Sequence, residues 1–197
     1  MARNLYPREK LEVLKLTSKQ AIPYLHALWT WLLTLRPFWC FGETGHTVDG
    51  IVGWMFFHNF SLVGTTSKYG SHVLVDATTA DILGVASLVP DDRGVGAELV
   101  EAFPGKAKPT GFWGGVYIKD HAQRSGLGRY LCEFLDTEVQ TRVNSTGEEE
   151  EWYLFTRNPH AATIYTALGF EEFAADWHIK IFDVHETVYK KVYRRQA

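Results

Sequence analysis

Residues 115–130 read GVYIKDHAQRSGLGRY: an apolar strand, a polar loop and the start of a helix, in immediate succession. The first backbone N–H groups of a helix have no intrahelical acceptor. The helix dipole adds partial positive charge at the same end, so a helix start is a ready site for phosphate. Glycine at 126 and 128 lets that backbone approach a ligand with no Cβ in between. Arg124 and Arg129 add positive charge. Gln123, Arg124, Ser125, Gly126, Leu127, Gly128 and Arg129 thus read as a pyrophosphate cradle. Two other cradles are excluded. The dinucleotide fingerprint needs a third small residue at position 131, which is Leu131; the P-loop needs Gly-Lys-Ser/Thr, and Gly105-Lys106 is followed by Ala107. A Gly-x-Gly pair taken alone fits an ordinary strand-turn-helix corner equally well.

A second segment changes that balance. The run WYLFT at 152–156 reads as a strand, and residues 158–170 follow as NPHAATIYTALGF. Asn158 suits an N-cap, Pro159 the first helical position, and Gly169 a helix stop. Asn158, Ala161, Tyr165, Gly169 and Phe170 stand at the spacing found in the GNAT superfamily of acyl-CoA-dependent N-acyltransferases, which the chain resembles. The first segment is similar to that superfamily's other hallmark, Gln/Arg-x-x-Gly-x-Gly after a strand. The two hallmarks in this order make a strong joint signal. The aromatic N-terminal half, with a broken helix before a strand pair, looks most like the puromycin N-acetyltransferase branch.

The rest of the chain supplies an order of elements. Leu11 to Leu16 alternates as a strand, with Thr17 or Ser18 as a cap for a helix over Ala21 to Leu35 that ends at Arg36-Pro37. Val48 to Phe60 reads as a second helix. Ser71 to Val75 and Ile82 to Val89 form a strand pair. Asp91 to Thr110 concentrates Pro and Gly and reads as a loop, with room for one helical turn at Ala97 to Phe103. Phe112 to Ile118 is the strand that feeds the cradle. Leu127, Tyr130, Leu131, Phe134, Leu135, Val139 and Val143 recur at helical spacing and mark a buried face. Glu148 to Glu151 reads as a solvated connection. Two strand-like runs, Trp177 to Phe182 and Thr187 to Tyr193, close the chain. The resemblance implies an α+β (α/β) fold, a mixed and mostly antiparallel central sheet flanked by helices on both faces. It spans roughly Leu11 to Arg194, a single N-acetyltransferase domain over residues 1–197 with its motif-bearing part at 111–170.

Composition narrows the setting. The chain has 197 residues, 46% hydrophobic and 22% charged, which suits one domain with a sizeable core. A formal charge of −3 gives no electrostatic reason to expect nucleic acid. Cys40 and Cys132 are too few for a disulfide scaffold and read as free thiols in a reducing compartment. Residues 1–16 hold no signal-like apolar core, and the apolar stretch from Ala27 to Phe41 is interrupted before it could span a membrane. The eight histidines lack ligand spacing, so no metal is expected. These features point to the cytoplasm, with no membrane partner, and leave a homodimer open.

Transfer of an acyl group from a thioester to an amine needs a neutral amine, a polarised carbonyl and a protonated leaving thiolate. The resemblance implies acetyl-CoA as cosubstrate and direct attack by the amine, with positioning and backbone donors supplying much of the acceleration. It places the acetyl group and pantetheine arm on the main chain of Val116, Tyr117 and Ile118, whose side chains still read as core. It makes Tyr165 the general acid, since a phenol stays protonated at neutral pH. Asn158 caps its helix and also stands where the pantetheine arm could bond. No base is legible: the strands around both motifs lack one, Glu151 sits at a strand edge, and His72, His121 and His160 read as surface or structural. Phe38, Trp39, Phe41, Trp54, Phe57, Phe60 and Trp113 favour an apolar or aromatic small-molecule primary amine over a polyamine. Two rival readings remain open, a peptide or protein N-acetyltransferase and a non-catalytic acyl-CoA-binding protein of the same fold.

Overall fold

The computed structural model describes residues 6–16, 18–34, 68–90, 94–180 and 183–196. Among these, the strands are β1 (Leu11–Lys15), β2 (Gly70–Asp76), β3 (Asp81–Val89), β4 (Gly111–Ile118), β5 (Glu150–Thr156), β6 (Glu171–Ile179) and β7 (Val184–Tyr193). The α-helices are α1 (Leu25–Thr34), α2 (Val95–Ala102), α3 (Leu127–Thr146) and α4 (Pro159–Ala167). The seven strands form one sheet in the order β1-β2-β3-β4-β5-β7-β6. β4 and β5 run parallel, in register at Gly111↔Trp152 and Phe112↔Tyr153. Parallel neighbours need a crossover, and α3 supplies it. β1 with β2, β5 with β7, and β6 with β7 are antiparallel. The sheet is mixed and mostly antiparallel, as the resemblance implies.

The described residues sort into two compact units, one of residues 6–34, 68–87 and 115–134, the other of residues 88–114 and 135–196. In the first, Leu16, Ala21 and Leu28 pack with Val73, Val75, Ile82 and Val85, and Tyr117 lies against that cluster. β2 and β3 are buried almost without interruption, which explains their continuous apolar runs. The first helix starts later than the sequence suggests. Lys19–Tyr24 is a 3-10 turn with Pro23 inside it, and α-helix begins at Leu25. Proline has no N–H to donate and its ring crowds the preceding turn. Ser18 holds the cap position without a side-chain capping bond.

In the second unit, Trp152, Tyr153, Leu154, Phe112, Phe170, Val188 and Tyr193 form the core with Leu135, Val139 and Val143 of α3. Both faces of the sheet are covered here. Arg142 of α3 lies over the Trp152 ring at 5.6 Å. On the other face, Phe173 meets Tyr153 at 5.4 Å and Phe103, just past α2, at 4.9 Å.

Three sequence expectations are corrected. The segment read as loop carries two turns of helix, α2, because Val95 and Leu99 bury one face that the flanking Pro and Gly residues obscure. β6 starts at Glu171, six residues early, since irregularities between Glu172 and Ala174 and between Ala174 and Trp177 break the alternation a strand reading relies on. Glu150 and Glu151 belong to β5 and are not solvated: Glu150 is 2% exposed and Glu151 half-buried. The helix expected at Val48 to Phe60, and the aromatic residues from Phe38 to Phe60, lie outside the described residues.

Candidate active site

The cradle residues lie in the first unit. β4 is buried through Trp113 and half-buried from Gly114 to Ile118. Gly115 takes φ +59 in mid-strand, a left-handed conformation that glycine reaches without strain. Val116, Tyr117 and Ile118 follow it. A short 3-10 turn, Asp120–Ala122, then leads into the loop. Gln123 ties this loop down: its Nε2 donates to the Ile118 carbonyl at 3.1 Å and to Asp120 Oδ1 at 3.0 Å. The Ser125 hydroxyl donates to the Ala122 carbonyl. Lys119 Nζ and His121 Nε2 both meet Asp81, each at 3.0 Å, and so fasten the same turn to the start of β3.

The loop then turns sharply. Arg124 sits at φ +59 and Gly126 at φ +86. The first backbone bond of α3 runs from the Tyr130 amide to the Gly126 carbonyl, 3.0 Å. The amides of Leu127, Gly128 and Arg129 therefore fall in the opening turn, where no intrahelical acceptor exists. Among the described residues, a Cβ on Gly126 would meet nothing within 4 Å, and one on Gly128 would make an ordinary 3.7 Å contact with Ile118. The two arginines differ: Arg129 pairs with Glu133 at 2.8 Å, while Arg124 is exposed with no ion pair among the described residues.

Tyr165 and Asn158 lie in the second unit. Asn158 caps α4, its side chain accepting from the amides of His160 at 3.0 Å and Ala161 at 3.4 Å. Pro159 opens the helix as its fixed φ favours. Asn158→Ala is expected to lower stability by about 1 kcal/mol, read from denaturant midpoints. A simultaneous change in acetyl-CoA affinity would add a ligand contact to the cap. Tyr165 is 8% exposed, edge-on to Trp113 at 6.3 Å and near Phe170 at 6.1 Å. Trp113 is thus a core residue, and its indole N–H is buried with no acceptor among the described residues.

The acidic side chains divide into committed and uncommitted groups. Glu150 accepts from Arg142 Nε at 3.0 Å and Nη2 at 2.8 Å, and from the Trp152 indole at 2.8 Å. Glu151 accepts from the Lys108 amide at 2.7 Å and from the Tyr153 hydroxyl, with Lys190 at 3.7 Å. Burial first, and then this carboxylate, hold the Tyr153 proton well above the usual phenol range. His72 is buried in β2, His121 is paired with Asp81, and His160 is exposed. Glu186 of β7 was not among the sequence candidates. It is 6% exposed, with Oε1 on Arg157 Nε at 3.1 Å and Oε2 without a partner among the described residues. Its signal was the apolar alternation Val184-x-Glu186-x-Val188, which puts a carboxylate at a core position. Among the described residues no group of three or more His, Cys, Asp or Glu side chains is placed to hold a metal ion. No described helix is long and apolar enough to cross a membrane.

The model of the acetyltransferase (GNAT) family matches residues 25–170, well over half of the chain. No curated protein matches the sequence. Among solved structures, the spermidine N-acetyltransferase of Vibrio cholerae in complex with CoA and spermine is similar, with TM-score 0.56 and 16% identity over 95% of this chain and 96% of that one. A dodecameric structure of the Vibrio cholerae enzyme superposes with TM-score 0.55 at 14% identity, over 95% of each chain. A putative GNAT-family acetyltransferase of Bordetella pertussis reaches TM-score 0.57 at 16% identity, over 86% of this chain and 92% of that one. At these identities the likeness is one of fold.

Proposed function

The chain belongs to the GNAT acetyltransferase family, and from that premise we propose that it transfers an acetyl group from acetyl-CoA to the primary amine of a small molecule, by direct attack in a ternary complex. The observation that carries this reading is the opening turn of α3: amides without an intrahelical acceptor, a left-handed Gly126 and, among the described residues, open space where its Cβ would stand. Such a turn suits a diphosphate. Leu127, Gly128 and Arg129 offer it backbone donors, and Arg124 offers a cation. Gln123 and Ser125 hold the loop in shape. Val116, Tyr117 and Ile118 bind the acetyl and pantetheine portion through main-chain atoms, and Asn158 assists from the α4 cap. Tyr165 gives its proton to the departing thiolate. We treat residues 1–197 as one catalytic domain, working in the cytoplasm without a metal, a nucleic-acid partner or a membrane partner. The preference for an apolar or aromatic amine rests on sequence. The spermine held by the Vibrio cholerae structure makes a polyamine the natural comparison substrate.

Gly128→Val gives a clean test. The added Cβ has only an ordinary contact within the chain, and valine forms helix better than glycine. The variant is expected to keep its melting temperature while its acetyl-CoA Kd, measured by calorimetry, rises by about tenfold or more, or ~1.4 kcal/mol. Unchanged affinity at unchanged stability would remove the cradle assignment.

A further inference from the structure

Amine attack releases a proton, and the carboxylates of β5 are committed elsewhere: Glu150 to Arg142 and Trp152, Glu151 to Lys108, Tyr153 and Lys190. Glu186 is different. A buried carboxylate oxygen with no donor is costly and rare in a folded protein. It makes sense where a ligand brings the donor, and an amine N–H is such a donor.

Its position fits as well. Thr156 pairs with Thr187, so Glu186 lies one step beyond the C-terminal end of β5, beside the Arg157 segment that leads into α4. The alternation of strand side chains then sorts the faces. Tyr153 and Phe155 share a face with Lys190 and Val188, and Glu186 continues that row. Trp152 lies on the other face, with Gly111 beside it and Trp113 two residues on; Tyr165 packs on Trp113. Proton donor and buried carboxylate therefore stand on opposite faces of the sheet. That separation lets one group protonate sulfur while the other takes a proton from nitrogen, without the two exchanging a proton directly.

We propose that Glu186 is the proton acceptor for the attacking amine; this rests on the acetyl-transfer reading above. As the N–C bond forms and the C–S bond breaks, the proton on nitrogen passes to Glu186 Oε2. The thiolate takes the Tyr165 proton, and both side chains return to their resting states by exchange with solvent. Arg157 Nε holds the other oxygen and orients the carboxylate. Burial raises the Glu186 pKa and the Arg157 charge partly opposes it, the net effect being upward. That makes Glu186 a stronger base than a free carboxylate. Among the described residues Arg157 is the charge that acts on it; its register partner on β6 is Trp177, and Val184 and Val188 flank it on β7.

The test compares wild type, Glu186→Gln and Arg157→Ala, with 2-phenylethylamine and spermidine as acceptors. Glu186→Gln should lower kcat by about a hundredfold or more and abolish the acid limb of the kcat–pH profile, with acetyl-CoA Kd within about twofold. It should fold at neutral pH, because the raised pKa means that burying the charged form opposes folding there and glutamine removes that charge. Arg157→Ala removes the influence that lowers the pKa, so its acid limb should move to higher pH. Wild-type turnover combined with a Glu186→Gln kcat within about threefold, on the same limb, overturns the base assignment alone. Failure of the wild-type protein to acetylate either amine overturns both this assignment and the acetyl-transfer reading.

Discussion

Glu150→Ala is expected to destabilise the protein by about 3–5 kcal/mol, the range for breaking a buried ion pair from one side. Glu150 is 2% exposed and accepts three hydrogen bonds, two from Arg142 and one from the Trp152 indole. Removing the carboxylate strands the Arg142 guanidinium, itself nearly buried, against the core of the second unit. The Trp152 N–H loses its acceptor at the same time. Glu149, one residue earlier, makes an exposed pair with Arg194 at 2.6 Å. Exposed pairs contribute about 0–1 kcal/mol, so Glu149→Ala should shift the urea midpoint little. Urea unfolding of both variants at a common m-value checks the contrast. Equal small losses would mean that Arg142 finds water when its partner leaves.

Tyr165→Phe is expected to lower kcat by about 10²–10⁴-fold, the usual contribution of a general acid. The loss falls toward the lower end because a CoA thiolate, like a cysteine thiolate, is a fair leaving group. The ring contacts with Trp113 and Phe170 survive the substitution, so folding and acetyl-CoA affinity should hold. A kcat–pH profile with a parallel Kd measurement decides the matter. If kcat stays within about twofold throughout, Tyr165 is a packing residue and water protonates the thiolate. The two proton-transfer assignments separate cleanly, since loss of Tyr165 should leave the acid limb ascribed to Glu186 in place.

Local signals made much of this fold legible in the sequence. The Asn158-Pro159 start and Gly169 stop bracket α4 because cap, first turn and terminator each have their own backbone requirement. The strand, loop and helix from Gly111 to Thr146 follow from apolar runs separated by residues that reach left-handed φ. Elements shaped by tertiary contact were harder to read. α2 is held by burial of Val95 and Leu99, which outweighs the turn-forming residues around it. β6 is irregular, so its period vanishes from the sequence. The Glu148–Glu151 run looks uniform as text, yet strand alternation and the reach of Arg142 split it into exposed and buried halves. The candidate site divides in the same way. The residues proposed as cradle and acid belong to contiguous motifs, whereas Glu186 is set apart by a cross-strand neighbour, Arg157, 29 residues away.

The most direct measurement incubates the protein with acetyl-CoA and either 2-phenylethylamine or spermidine, and quantifies free CoA thiol and N-acetylated amine together. Acetyl transfer predicts that both products appear in equal amounts, saturably in each substrate and only with protein present. Tight acetyl-CoA binding without thiol release or acetylated amine would contradict it, and would leave the chain as a carrier of acyl-CoA built on an acetyltransferase fold.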